Sequence, residues 1–282
     1  MNKIELFAFA DEACVRMDGQ IAAMKRNGLQ GLEIRGVDGT NVSKITLQKA
    51  AEVRQMLEDN GLRTWSIGSP IGKIKLTDDF EAHLDVFKHT LDVARELKAE
   101  NLRLFSFFMP KGEDPAPYKD AVMERLARFV EVGKDSGVVL CHENEKGIYG
   151  DVADRCLEIH TAFPELKAIF DPANFVQSGD DTLRGWGVLK DHVRYLHIKD
   201  ALPDGSVVPS GKGSGNVPFI VKDYIARGGC AMTLEPHLKV FDGLKELEED
   251  GNTSVVGKFA YPSADAAFDA ACDALKDILM EG

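Results

Sequence analysis

Four side chains able to ligate a metal, Glu143, Asp171, His197 and Glu235, each stand at the end of a short apolar run. The runs read GVVLCHEN, LKAIFDPAN, VRYLHIKD and GCAMTLEP, so each polar residue follows β-like sequence and precedes a proline, an asparagine or a loop. The intervals between them are 28, 26 and 38 residues. A parallel strand, its crossover helix and two loops occupy roughly 30 residues, so each interval fits one strand-to-strand repeat. Strand ends gathered in this way point to a single metal site at the mouth of a barrel.

The rest of the chain carries the same rhythm. Strand-like runs begin near Ile4, Leu32, Leu62, Leu102, Val138, Leu166, Val193 and Cys230, and amphipathic stretches such as Thr46 to Asn60, Phe80 to Leu97 and Tyr118 to Val132 separate them. Eight strands with intervening helices in 282 residues describe an α/β fold, a (β/α)8 TIM barrel. Ser263 to Met280 reads as an extra C-terminal helix, with Ser263 as N-cap and Asp265 in its first turn. No low-complexity tract or Pro/Ser/Gly linker divides the chain, so residues 1–282 are expected to form one domain. A doubly wound open sheet would need a phosphate fingerprint after the first strand, and FAFADEACVRMDG contains no G-x-G-x-x-G. The stretch GSVVPSGKGSGN also fails as a phosphate loop. Five residues rather than four separate Gly205 from Gly211, and Gly213 stands where Ser or Thr is needed, so the stretch reads as a mobile loop after the strand that ends in His197.

Composition excludes several function classes. A formal net charge of −12 disfavours nucleic acid, because phosphate-backbone affinity comes from clustered Lys and Arg releasing counterions. The N-terminal run MNKIELFAFADEA is broken by Glu5 and followed by Asp11 and Glu12, which makes a poor signal peptide and a good first strand. Five cysteines without a C-x-x-C pair fit a reduced, cytoplasmic protein better than a disulfide framework. No membrane association is expected.

Taken singly, a carboxylate or imidazole at a strand end is usually a structural ion pair or a solvated rim residue. Three carboxylates and one imidazole on four such ends are harder to explain by packing. Three oxygen donors and one nitrogen allow one divalent ion among Mn²⁺, Mg²⁺, Co²⁺ and Zn²⁺. Parity leaves one ambiguity, since Glu143 and Glu145 would face the same side of an extended strand. Other polar residues gather at expected strand ends: Glu33 and Arg35, Lys73, Arg103, Lys199 and Asp200, and His237. Each alone reads as structural or solvated; as a group they suit a polyol. Lys199 and His237 share parity with neighbouring ligands and are the preferred substrate-binding candidates, with Arg103 beside them. Lys73 and Lys111, on the loops SPIGKIK and MPKGEDPAP, are candidates for an anionic substituent. The run LFSFF, Leu104 to Phe108, is expected as a core strand, with Phe7 and Trp65 as candidate walls for a sugar ring.

The runs E-N at Glu143 and Asn144, F-D-P-A-N at Phe170 to Asn174, H-I-K-D at His197 to Asp200 and L-E-P at Leu234 to Pro236 resemble the sugar phosphate isomerase/epimerase family of xylose isomerase-like barrels, over about Phe7 to Pro236. The resemblance implies that Glu143, Asp171, His197 and Glu235 bind one divalent metal, and it selects Glu143 over Glu145, which is kept as a supporting or substrate residue. Asn174 falls where relatives carry a polar substrate contact. One departure touches substrate preference: many relatives read E-N-H where this chain has Glu143-Asn144-Glu145. The implied activity is isomerisation or epimerisation of a small carbohydrate, with Glu143 and Glu235 exchanging roles as base and acid around an enediolate that the metal stabilises. Pairing as a homodimer is also implied. A dehydratase or lyase acting on a keto-sugar or keto-inositol starts from the same proton abstraction and is the alternative. A non-catalytic sugar-binding module is a third reading. A metal-dependent endonuclease of related shape would want further histidines and a basic groove, against seven thinly spread histidines and an acidic balance.

Overall fold

The computed structural model describes residues 3–240 and 259–280. The apolar runs extend as β1 (Glu5–Ala8), β2 (Gly31–Ile34), β3 (Arg63–Ile67), β4 (Asn101–Leu104), β5 (Val139–Glu143), β6 (Lys167–Phe170), β7 (Val193–Ile198) and β8 (Ala231–Leu234). They close into one parallel barrel in chain order, with β8 pairing both β7 and β1. Helices fill the crossovers: α1 (Met17–Arg26), α2 (Leu47–Asp59), α3 (Phe80–Glu96), α4 (Lys119–Gly133), α5 (Ala153–Ala162), α6 (Pro172–Gln177), α7 (Thr182–Leu189), α8 (Val217–Ala226) and α9 (Ala264–Met280). Two short antiparallel ribbons, Gly36–Val37 with Thr40–Asn41 and Asp200–Ala201 with Val207–Val208, decorate the loops after β2 and β7.

Local chemistry sets the boundaries. Side chains of Thr46, Asp79 and Asp181 accept from the first amides of α2, α3 and α7, so each of these helices starts where its first orphan donors find an acceptor. Ser263 does the same for α9, its Oγ accepting from the amide of Ala266 at 3.0 Å. That helix packs between α8 and α1, and Arg26 ties it down through Asp265 and Asp269. Apolar side chains on the outer face of the strands meet the inner faces of the helices in one continuous core.

A second, smaller cluster lies inside the barrel: Phe7, Trp65, Cys141, Ile169, Tyr195 and Ala231. Because strand side chains alternate, residues two further along each strand face the same interior. Glu143, Asp171 and His197 follow Cys141, Ile169 and Tyr195 at that spacing. The apolar layer is therefore the floor beneath the polar rim.

The expectation that LFSFF is a strand needs correction. β4 ends at Leu104, and the amides of Phe105, Phe107 and Phe108 leave the sheet to bond the carbonyls of Ile71, Gly72 and Ile74. Phe107 takes a left-handed backbone, φ 66°, which no strand accommodates. Phe105 and Phe107 are nonetheless buried, as a core reading requires.

Candidate metal centre

Glu143, Asp171, His197 and Glu235 converge at the C-terminal rim, each offering a ligand atom within 4.8 Å of the other three, and all four are buried. The sequence motifs explain how two of them are placed. Asp171 is the N-cap of α6, its Oδ1 accepting from the amide of Asn174 at 3.0 Å, and Pro172 occupies the first helical position, where no amide is needed. Asn144 clasps the backbone of Asp171 from both sides, Nδ2 donating to its carbonyl and Oδ1 accepting from its amide, each at 2.9 Å. Asn174 closes the circuit by donating Nδ2 to the Asn144 carbonyl at 2.9 Å and, at 3.4 Å, to Glu143 Oε1. The E-N and D-P-A-N runs thus form one hydrogen-bonded unit across β5 and β6.

Cations face the remaining carboxylate oxygens, Asp171 Oδ2 through an ion pair without a hydrogen bond. Arg103 Nη1 donates to Glu143 Oε2 at 3.0 Å while its other nitrogens bond the carbonyls of Gly68 and Ser69. Lys199 Nζ lies 2.7 Å from Glu235 Oε2 and 2.9 Å from Asp171 Oδ2. Arg35 Nη1 meets Glu235 Oε1 at 3.3 Å, and the same guanidinium pairs with Asp11 and Glu12. His197 is held at both nitrogens: Nδ1 faces Glu143 Oε1 at 2.8 Å and Nε2 faces Glu33 Oε2 at 3.0 Å.

Of the substrate candidates, Asn174, Lys199 and Arg103 are therefore in direct contact with the donor group. His237 lies one step out, with Nε2 3.7 Å from Glu235 Oε1 and a left-handed backbone, φ 43°. A non-glycine residue there stores strain, and the 2.6 Å bond from its amide to Glu12 Oε2 holds it. Glu145 and Lys73 pair with each other at 3.0 Å, Lys73 also resting 4.5 Å over the Phe105 ring. Lys111 is exposed on the β4–α4 loop.

Phe7 and Trp65 do not reach the rim. They stack on each other at 4.9 Å in the floor layer, and the ring that abuts the site is Phe9, edge-on to His197 at 5.3 Å. The glycine-rich stretch is an anchored loop: Asp200 accepts from the amides of Gly211, Gly213 and Gly215 at 2.8–2.9 Å. A Cβ on Gly213 would fall 2.2 Å from Asp200 Oδ1, so the glycines are there to let amides reach a carboxylate of the protein itself.

Glu12, Glu33 and Arg35 carry more of the site than the sequence indicated. Glu12, Glu235 and His237 form a second buried set of close donor atoms, sharing Glu235 with the first. Burial lifts the Glu12 carboxyl to about 8 against the pull of Arg35. Burial likewise pushes Asp171 up to about 7, opposed by Lys199. For Glu235 burial loses: Lys199, His237, His197 and Arg35 hold it well below the usual carboxylate range. Burial disfavours the imidazolium of His197, yet the carboxylates of Glu143 and Glu33 raise it to about 10. Glu145, also buried, is held down at about 2 by Lys73 and the neighbouring lysines.

The donor set suits a divalent cation. Ligand distances of roughly 2.0–2.6 Å place the atoms around one ion about 3–5 Å apart, the range within which these four donor atoms lie.

Residues 21–239 match the model of the xylose isomerase-like TIM barrel family. No curated protein matches the chain by sequence. Solved structures of similar fold include a D-allulose 3-epimerase from Methylomonas sp. in complex with D-allulose, at TM-score 0.74 and 14% identity, covering 98% of each chain. Another is the probable 3-DHS dehydratase AsbF of Bacillus anthracis, at TM-score 0.73 and 16% identity, covering 98% of this chain and 99% of that one. A third is the IOLI protein with a bound zinc atom, at TM-score 0.71 and 12% identity, covering 99% of each. Among the described residues, no helix is long and apolar enough to cross a membrane.

Proposed function

The chain belongs to the xylose isomerase-like TIM barrel family, and from that premise we propose that it is a divalent-metal-dependent isomerase or epimerase of a small carbohydrate. The observation that carries the reading is the convergence of three carboxylates and one imidazole, from four consecutive strands of the barrel, within the reach of one ion. Glu143, Asp171, His197 and Glu235 are the proposed ligands. A divalent ion held by them polarises a substrate carbonyl and acidifies the adjacent C–H bond.

The protein's own groups then move the proton. Glu143 and Glu235 stand three strands apart around the barrel, so they approach a bound sugar from different walls. Glu235, kept ionised by Lys199 and Arg35, begins as the base and takes the proton from the carbon beside the carbonyl. For an epimer Glu143 must enter the cycle protonated and give that proton to the opposite face while Glu235 keeps the one it took; return of the abstracted proton by Glu235 to the neighbouring carbon gives the isomer. Lys199, held as an ammonium by Asp171 and Glu235, and His237 line the approach to these carboxylates and are proposed to meet the sugar hydroxyls. Asn174 and Arg103 fix the orientation of Glu143, and the Lys73–Glu145 pair is assigned to the outer part of the substrate.

A second reading rests on the fold likeness to a probable dehydratase. The same abstraction by Glu235 followed by loss of a β-hydroxyl would make this chain a keto-sugar or keto-inositol dehydratase. One experiment separates the outcomes: metal analysis of the purified protein, followed by a screen of ketoses, keto-sugars and inositol derivatives in deuterated water. Deuterium entering at the carbon beside the carbonyl, with all oxygens retained, supports isomerisation or epimerisation. Loss of water supports the dehydratase. Metal uptake and sugar binding without any exchange would leave a binding module and sink both.

A further inference from the structure

We infer that Glu33 is a positioning residue that fixes the tautomer and the orientation of His197, so that Nδ1 is presented to the metal. The inference rests on the metal reading above and adds a residue to it.

The geometry begins with a divided imidazole. His197 Nδ1 faces the donor group, 2.8 Å from Glu143 Oε1, while Nε2 points away from it to Glu33 Oε2 at 3.0 Å. A neutral imidazole carries one proton, and the nitrogen that keeps it donates while the other offers a lone pair. Without metal both nitrogens face carboxylates; an ion that takes up Glu143 would displace the Nδ1 proton, and the Glu33 carboxylate then retains the one on Nε2 and leaves Nδ1 as the ligand atom.

Glu33 itself is built for this task. It lies in the middle of the GLEI strand with no exposure to solvent, a place where an apolar side chain would pack at no desolvation cost. Its other oxygen, Oε1, accepts from the Tyr195 hydroxyl at 3.0 Å and from Ser66 Oγ at 3.3 Å. Those two hydroxyls lie 2.9 Å apart, so Ser66 shares its single proton between Glu33 Oε1 and the Tyr195 oxygen while Tyr195 donates to Glu33. The register between β2 and β3 shifts between Leu32 and Glu33, which sets Glu33 opposite Ser66. Phe9 packs edge-on against the imidazole and Tyr195 tilts against it, so the ring is enclosed by aromatic faces as well as fixed at both nitrogens.

The test uses the full-length protein, stripped of metal and titrated with Co²⁺, with affinity read by calorimetry and ligand geometry by visible absorption. Glu33→Gln keeps the shape, removes the charge and lets an amide N–H oppose the Nε2 proton. Co²⁺ affinity should fall by about 10- to 100-fold and the absorption bands should shift. Tyr195→Phe leaves Glu33 in place without its closest hydroxyl donor and should give a smaller weakening and a smaller band shift in the same direction. A purely structural role would lower the melting temperature of the metal-free variant and leave the bands of the loaded form unchanged, which overturns the inference. Wild-type affinity and spectrum in Glu33→Gln overturn it equally. If Glu33→Gln does not fold, the spectrum of Tyr195→Phe decides: a shifted band supports the role and an unshifted one overturns it. Failure of the wild-type protein to take up Co²⁺ is a different result, since it removes the metal reading beneath both.

Discussion

The two ends of the barrel use the same chemistry under opposite conditions. At the N-terminal end Arg63 pairs with Glu5 and Glu100, with side chains 36%, 36% and 46% exposed, and its guanidinium covers the Phe7 and Trp65 rings. At the C-terminal end Arg103 pairs with Glu143 at 2% and 1% exposure, and Lys199 bridges Glu235 and Asp171 at 4% or less. The lower pairs are solvated lids over an apolar floor and gain little from their charges. The upper ones have lost their water, and their mutual attraction has to offset a desolvation cost of several kcal/mol per ion. Such a cost, carried at one end only, is what the proposed metal site would require there.

The largest test of that contrast is chemical. Glu235→Gln should lower deuterium exchange into substrate by at least about 100-fold, the usual contribution of a general base, with the circular dichroism spectrum of the folded chain retained. Retained exchange would move the base elsewhere. Next comes Arg103→Met, which strands the Glu143 carboxylate in a dry site and should destabilise the protein by about 3–5 kcal/mol in urea unfolding. A loss no greater than that of a surface pair would equate the two ends. Asp171→Asn should weaken Mn²⁺ binding by at least about tenfold, as measured by calorimetry, while changing the unfolding midpoint of the metal-free protein far less than Arg103→Met.

The fourth test is pH. Asp171 and Glu12 keep their protons to about 7 and about 8 in the folded chain, against roughly 4 when unfolded. At these two groups the folded state binds more protons, so the stability they contribute is full below about pH 4 and is lost as pH rises through their folded values. The buried histidines His83, His142, His160 and His237, held neutral by burial, act in the opposite sense up to about pH 6.5, so the melting temperature of the metal-free protein should fall from pH 7 to pH 8, and saturating Mn²⁺ should flatten the fall. A melting temperature that rises over this window contradicts the burial of these carboxyls. Smallest of all, Arg63→Ala should cost at most about 1 kcal/mol, and less in high salt.

Much of the upper end was legible because its residues punctuate apolar runs. GVVLCHEN, LKAIFDPAN, VRYLHIKD and GCAMTLEP end their strands at or within one residue of the polar side chain, and the runs that begin near Ile4 and Leu62 do become β1 and β3. Glu12 was hidden, since it sits in a short 3₁₀ turn after β1 and meets Arg35 and the His237 amide only through tertiary folding. Glu33 left a fainter signal: a charge inside a four-residue apolar strand, with the same inward parity as Arg35. The LFSFF run misled because aromatic residues favour strands, while the carbonyls of Ile71, Gly72 and Ile74 compete successfully for its amides.

The reciprocal clasp between Asn144 and Asp171 makes β5 and β6 the fixed jaw of a vice. The side chain of Asn144 ties the backbone of Asp171 to β5, whereas the strand end that carries Glu235 is held to the site through the long side chains of Lys199 and Arg35 at its carboxylate oxygens. If the proposed site takes a metal, adjustment to ions of different radius would fall to the sliding jaw on β8, and size selectivity should be retuned there, by Lys199 and Arg35, rather than at Asn144.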